Sequence, residues 1–148
     1  MITCYLSLGS NLRTPERQIR RAIQLLRKLP KTTVTQLSKL YFNSAVGRRG
    51  QPPYCNSVVK IRTSHPPQRL LRYCLAIEKK QQRVRKIRWG ARTLDIDILL
   101  YGRHTIHQRD LTIPHPRMLE RDFVLTPLLS IAPNILLTNE YICLKEKV

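Results

Sequence analysis

A chain of 148 residues with 27 Lys and Arg against 9 Asp and Glu has a net charge of +18, which points to anionic partners: nucleotides, nucleic acid or an anionic surface. The length suits one domain with a real core, and 42% hydrophobic residues exclude a disordered chain. No apolar run approaches the roughly 18 residues of a membrane span. The opening MITCYLSLGSN is not the pattern of a secretory signal, and Cys4, Cys55, Cys74 and Cys143 show neither CxxC pairs nor metal spacing. The expectation is a cytoplasmic protein with reduced thiols. No repeat or linker divides residues 1–148, so they are read as one domain, acting as a monomer.

Residues 2–8, ITCYLSL, read as a first strand closed by the turn-prone Gly9-Ser10-Asn11. Thr14 offers a helix cap, with Pro15 in the first turn. Ile19, Ala22, Ile23, Leu26 and Leu29 recur at helical spacing, and Arg17, Arg20, Arg21, Gln24 and Arg27 occupy much of the other surface. This helix packs on one side until Pro30 stops it. Residues 33–42, TVTQLSKLYF, read as a second strand. Two glycines and two prolines make 43–54 a loop. Residues 55–63 form a third strand with Ser57, Val59 and Ile61 on one face, and a second helix runs from Pro66-Pro67 to about residue 82. Its apolar stripe is Leu70, Cys74 and Ile77. RVRKIRWGART is a basic loop, LDIDILLY (94–101) a strand, and a short hairpin follows around Gly102. IPHPR is too rich in proline for a central strand; 117–131 is a short helical piece interrupted near Pro127. The order strand-helix-strand-strand-helix-strand is that of the α+β ferredoxin-like split βαβ arrangement, an antiparallel sheet with helices packed on it.

The fourth strand holds the unusual feature. Residues i and i+2 of a strand share a face, about 6.6 Å apart, so Asp95 and Asp97 point the same way. Leu99 and Tyr101 are expected on that face, and Leu94, Ile96, Ile98 and Leu100 toward the helices. Asp is poorly suited to strands, and two like charges repel unless something positive lies between them. Mg²⁺ would serve, since it takes carboxylates, waters and phosphates; two ions about 4 Å apart would suit phosphoryl transfer. The loop before supplies Arg83, Arg85, Lys86, Arg88 and Arg92 around Trp89, and arginines fork onto phosphate oxygens. Together these predict a site for Mg²⁺ and a nucleoside polyphosphate. There is no Walker A motif, so it is not a P-loop site.

RVRKIRWGARTLDIDILLYG and LTIPHPRMLERDFVLTPL closely resemble the two signature segments of the hydroxymethyl-dihydropterin pyrophosphokinases, and GSN and QPPYCN also match. The resemblance covers residues 2 to about 133. It implies an enzyme of folate biosynthesis that moves the pyrophosphoryl group of ATP to the hydroxymethyl group of a dihydropterin, releasing AMP, with two Mg²⁺ ions. By the same resemblance Asp95 and Asp97 match metal-binding aspartates, and Arg83 and Arg92 catalytic-loop arginines. Nucleotide positions fall on Leu71, Leu75, Glu78, Arg85, Trp89, Ile98, Asp110, Thr112, His115 and Arg121. Pterin positions fall on Asn43, Ala45, Val46, Tyr54, Asn56 and Phe123. Tyr54 and Phe123 could sandwich a flat heterocycle, and Asn56 offers a donor and an acceptor to an amide-like edge. His65, His104 and His107 are left as ordinary surface histidines. Ala91 stands where the family usually has proline, Leu75 where some members are polar, and Asp110 where some are basic.

The alternative from charge and fold is a small nucleic-acid-binding protein. The central strands lack the paired aromatics that stack bases, so no nucleic-acid partner is expected.

Overall fold

A computed structural model of the chain describes residues 1–11, 14–43, 53–82 and 94–137. In chain order the elements are β1 (Ile2–Ser10), α1 (Pro15–Arg27), β2 (Thr32–Leu37), β3 (Tyr41–Asn43), β4 (Tyr54–Thr63), α2 (Pro67–Gln82), β5 (Asp95–Tyr101), β6 (Ile106–Gln108), β7 (Leu111–Ile113) and α3 (Asp122–Ile131). Short 3-10 turns stand at Met118–Glu120 and Ile135–Leu137. The sheet runs β2-β4-β1-β5, with β3 also on β4, and every pairing is antiparallel. This is the expected α+β arrangement.

Strand alternation separates two cores. Cys4, Leu6, Leu8, Val59, Ile61, Ile96 and Ile98 face α1 and α2, meeting Ile19, Ala22, Leu26, Leu70, Cys74 and Ile77. Tyr5, Val58, Leu99 and Leu100 face the other way, onto Met118, Val124 and Leu128 around α3. Each buried Leu, Ile, Val or Met among them contributes about 1.5–3 kcal/mol on burial, so the central strands are held from both sides. The thiols of Cys4, Cys55 and Cys74 are unpaired and buried, and burial pushes those of Cys4 and Cys74 up to about 12. They are inert at neutral pH.

Several expectations are corrected. Gly9 and Ser10 do not close β1; they belong to it, with Gly9 paired to Asn56 on one side and Asp95 on the other. Thr14 precedes α1 with left-handed backbone (φ 55°) and makes no side-chain cap. The strand expected over 33–42 is broken by Ser38, whose Oγ accepts the Val58 N–H (2.8 Å) while its own N–H donates to the Val58 carbonyl (2.9 Å). A hydroxyl thus replaces a backbone group and ends the ladder. Gly102 makes a turn at φ 53°, but the hairpin is β6–β7, turning at Arg109-Asp110. Pro127 lies within a continuous α3; its fixed φ is helical, and only the bond to the Phe123 carbonyl is lost. His65 is buried, its Nε2 2.7 Å from the Pro30 carbonyl oxygen.

β5 differs most tellingly. Ile98 pairs with Leu6 and Leu100 with Tyr5, so Leu99 is an extra residue, a β-bulge. Beyond it Leu100 faces α3 and Tyr101 faces α1 and α2, the reverse of strict alternation.

Candidate active site

Cross-strand register assembles the site on the α3 side of the sheet. One row reads Asp95–Gly9–Asn56–Tyr41, and the next Asp97–Ser7–Val58. From these rows Ser7, Gly9, Asn56, Asp95 and Asp97 floor a cleft of about 740 Å³ whose far walls come from Asn43, Tyr54 and the Glu120–Val124 segment entering α3. Four of the chain's nine acids, Asp95, Asp97, Glu120 and Asp122, line it. The cleft is therefore an acidic spot on a basic molecule, suited to cations.

Gly9 is the enabling residue. A Cβ there would stand 2.9 Å from Asn56 Oδ1, so glycine leaves both the space over the strand and the Asn56 orientation intact. Asn56 is 7% exposed and its Nδ2 has no hydrogen-bond partner among the described residues. A buried donor left open costs free energy unless a ligand takes it. Phe123 is exposed at the rim, with the Arg121 guanidinium 5.6 Å from its ring centroid, a cation–π contact.

Of the expected residues, the structure brings Asp95, Asp97, Asn43, Tyr54, Asn56, Phe123 and Arg121 to this one cleft. Ala45, Val46, Arg83, Arg85, Trp89 and Arg92 lie outside the described residues. Leu71, Leu75, Glu78, Ile98, Thr112 and His115 do not line it. Most of these belong to elements beside the outer edge of β5, which among the described residues pairs only with β1. α2 and the β7 strand both pack on β5, and Gln68 Nε2 ties α2 to the β6–β7 hairpin by donating to Gln108 and to Asp110 Oδ1 (3.3 Å). Leu75 is half exposed on α2. The Ile98 side chain is in the core, so what it offers at that edge is its backbone, in phase with Ile96.

Two titratable groups flank the aspartates. Glu78 Oε2 accepts the Ile96 N–H at 2.8 Å. Burial pushes Glu78 up to about 7; the Ile96 bond pulls it down, and the charges of Asp95 and Asp97 raise it further. The His115 N–H donates to the carbonyl of the bulged Leu99 (3.0 Å), and the Arg117 N–H donates to His115 Nδ1 (3.2 Å). Nδ1 is thus an acceptor and the neutral ring carries its proton on Nε2. Burial lowers the His115 pKa; Asp97 opposes this, while Arg121 and Arg117 add to it.

Sequence reasoning missed Ser7, Glu120, Asp122 and Val124. The signals were a lone serine amid an apolar strand, and two of only nine acids bracketing Arg121.

The family description 7,8-dihydro-6-hydroxymethylpterin-pyrophosphokinase (HPPK) matches residues 5–133. Curated relatives called 2-amino-4-hydroxy-6-hydroxymethyldihydropteridine pyrophosphokinase are similar along most of both chains. The Haemophilus influenzae protein is 46% identical over 142 residues, covering 96% of this chain and 89% of the relative. The Bacillus subtilis protein is 43% identical over 131 residues, 88% and 78% of the two chains. The Pseudomonas aeruginosa protein is 43% identical over 135 residues, 91% and 83%. The nucleic-acid-binding alternative finds no support in these names. A match that runs from β1 past the end of α3 takes in both floor and walls of the cleft, and this chain belongs to the 7,8-dihydro-6-hydroxymethylpterin-pyrophosphokinase family.

Proposed function

We propose that this protein transfers the pyrophosphoryl group of ATP to the hydroxymethyl oxygen of 6-hydroxymethyl-7,8-dihydropterin in folate biosynthesis. The new O–P bond forms at the β-phosphorus, the bond between the β-phosphorus and the α,β-bridging oxygen breaks, the hydroxyl proton is lost and AMP leaves. The observation that carries this reading is the alignment, across Gly9, of Asp95 with the open amide of Asn56, with Asp97 in the next row beside Ser7. One end of the cleft suits cation-bound phosphates and the other a heterocycle with hydrogen-bonding edges.

The donor set fits Mg²⁺. Among the described residues no third His, Cys, Asp or Glu completes a cage around the pair, and Mg²⁺ characteristically takes one or two carboxylates and fills its shell with water and phosphate. When bound, two Mg²⁺ ions offset phosphate charge and polarise the β-phosphoryl group. Asp95 and Asp97 hold them. Asn56 fixes the pterin edge, and Tyr54 and Phe123 stack on its faces with Asn43, Ala45 and Val46 beside them. Holding acceptor and phosphate on adjacent rows of one rigid sheet supplies orientation. Arg83 and Arg92 meet the charge that develops on the transferred group. Leu71, Leu75, Glu78, Arg85, Trp89, Ile98, Thr112, His115 and Arg121 serve the nucleotide; Ile98 does so through its backbone. The reading takes residues 1–148 as one domain working as a monomer in the cytoplasm. Unpaired buried thiols suit a reducing compartment, and no helix among the described residues is long and apolar enough to cross a membrane.

The test is incubation with ATP, Mg²⁺ and 6-hydroxymethyl-7,8-dihydropterin, followed by detection of AMP and the pterin pyrophosphate. ADP in place of AMP, or no turnover, overturns the proposal.

A further inference from the structure

We infer that Glu78 is a positioning residue for the Asp95–Asp97 pair: from α2 it occupies the edge hydrogen bond of Ile96, the residue between them. The inference rests on the reading that the pair holds a divalent cation with the nucleotide.

Among the described residues β5 has a strand neighbour on one side only. At such an edge, alternate N–H and C=O groups lack a strand partner. Asp95 is the first residue of β5, and Asp95 and Asp97 are same-face acids in a strand that disfavours Asp. The ladder to β1 holds this end from one side, through Gly9, Leu8 and Ser7. The Glu78 carboxylate supplies the missing second side, 2.8 Å from the Ile96 nitrogen. Its base is rigid. α2 is locked into the core by Leu70, Cys74 and Ile77, none more than 5% exposed, and to α1 by the bond from Gln81 Nε2 to the Gln18 carbonyl (3.1 Å). Glu78 does not line the cleft. Its effect on the aspartate pair travels through the backbone of Ile96, which sets the pleat on which both acids stand. Partners that orient metal ligands commonly change metal affinity by about 10–100-fold when removed.

The test compares Glu78→Met, which removes the acceptor at similar volume, with Glu78→Gln, which keeps a carbonyl for Ile96. Mg²⁺ is titrated calorimetrically with a non-hydrolysable ATP analogue, and exchange of the Ile96 amide is followed in the metal-free protein. In Glu78→Met we expect the half-saturating Mg²⁺ concentration to rise about tenfold and Ile96 exchange to speed up at least about tenfold, with KM for the acceptor near that of the parent. In Glu78→Gln both readings return to within about threefold of the parent. A parent-like Mg²⁺ titration in Glu78→Met overturns the inference. So does equal loss in both variants, because charge rather than the Ile96 bond would then be the operative property. Asp97→Ala separates the two levels: if it too leaves Mg²⁺ affinity intact, the cation reading fails, whereas loss there with a parent-like Glu78→Met sinks only the positioning role. Should Glu78→Met not fold, Glu78→Ala, which lets water reach the amide, gives the same readings.

Discussion

The two faces of the sheet are built from the same strands and do different work. Toward α1 and α2, β1, β4 and β5 present a mainly apolar surface: Cys4, Leu6 and Leu8, then Val59 and Ile61, then Ile96 and Ile98, with Ser57 the polar residue on the β4 row. Toward α3 the same strands are apolar only at one end, with Tyr5, Val58, Leu99 and Leu100. At the other end stand Ser7, Gly9, Asn56, Asp95 and Asp97. Since side chains alternate along a strand, of two adjacent residues one can fill the core while the other lines the cleft. Ile96, between two cleft aspartates, is such a case.

The contrast can be broken most directly at its extremes. On the helix face, Ile61→Ala should cost about 2–5 kcal/mol of stability, read as a lower midpoint in urea, while the folded fraction keeps its turnover number. On the cleft face, Asp97→Ala should lower turnover at least about a hundredfold, near 2.7 kcal/mol in the barrier, with an unchanged urea midpoint. A large stability loss in Asp97→Ala, or lost turnover in folded Ile61→Ala, would show that the faces are not separable. Gly9→Ala tests a finer point. The added Cβ meets only the end of the Asn56 side chain, which can turn aside, so we expect acceptor affinity to fall about tenfold by calorimetry with little change in stability. Smallest is a pH effect that links the faces. The folded pKa of Glu78 is raised from 4.5 to about 7, so the folded state binds the extra proton between those values. This group's contribution is fully present below about 4.5 and is lost as pH rises through about 7. Thermal unfolding of the metal-free protein should therefore show the parent losing stability relative to Glu78→Gln across that window; parallel curves would contradict it.

Much of this plan was legible in the residues. Helical spacing in Ile19–Leu26 and in Leu70–Ile77 located α1 and α2, and the Asp-x-Asp spacing placed two carboxylates on one face. The element order implied the sheet. What escaped notice has a common physical cause: it depends on partners distant in the chain. Ser38 breaks a strand because Val58 lies opposite. Gly9 reads as a turn residue until its neighbours Asn56 and Asp95 are known. His65 looks like a surface histidine until the Pro30 carbonyl appears beside it. Glu120 and Asp122 gain meaning only when α3 folds across the sheet. The family resemblance supplied most of the candidate site, and for positions such as Ile98 and Glu78 it named the residue without saying which of its atoms is in play.

The bulge at Leu99 has a consequence for how this fold tolerates insertions and deletions. Ile98 and Leu100 already pair with consecutive residues of β1, so the sheet would close without Leu99 and every other side chain of β5 would keep its face. The spare residue instead lends a carbonyl to the His115 N–H, making it the peg from which the chain beyond the hairpin hangs. A lineage that lost this one residue would retain the architecture and both aspartates, yet the segment leading to Arg121 and Phe123 would lose that mooring. Length variation here would weaken the α3-side core by one buried leucine and would reach the chemistry through the loosened segment.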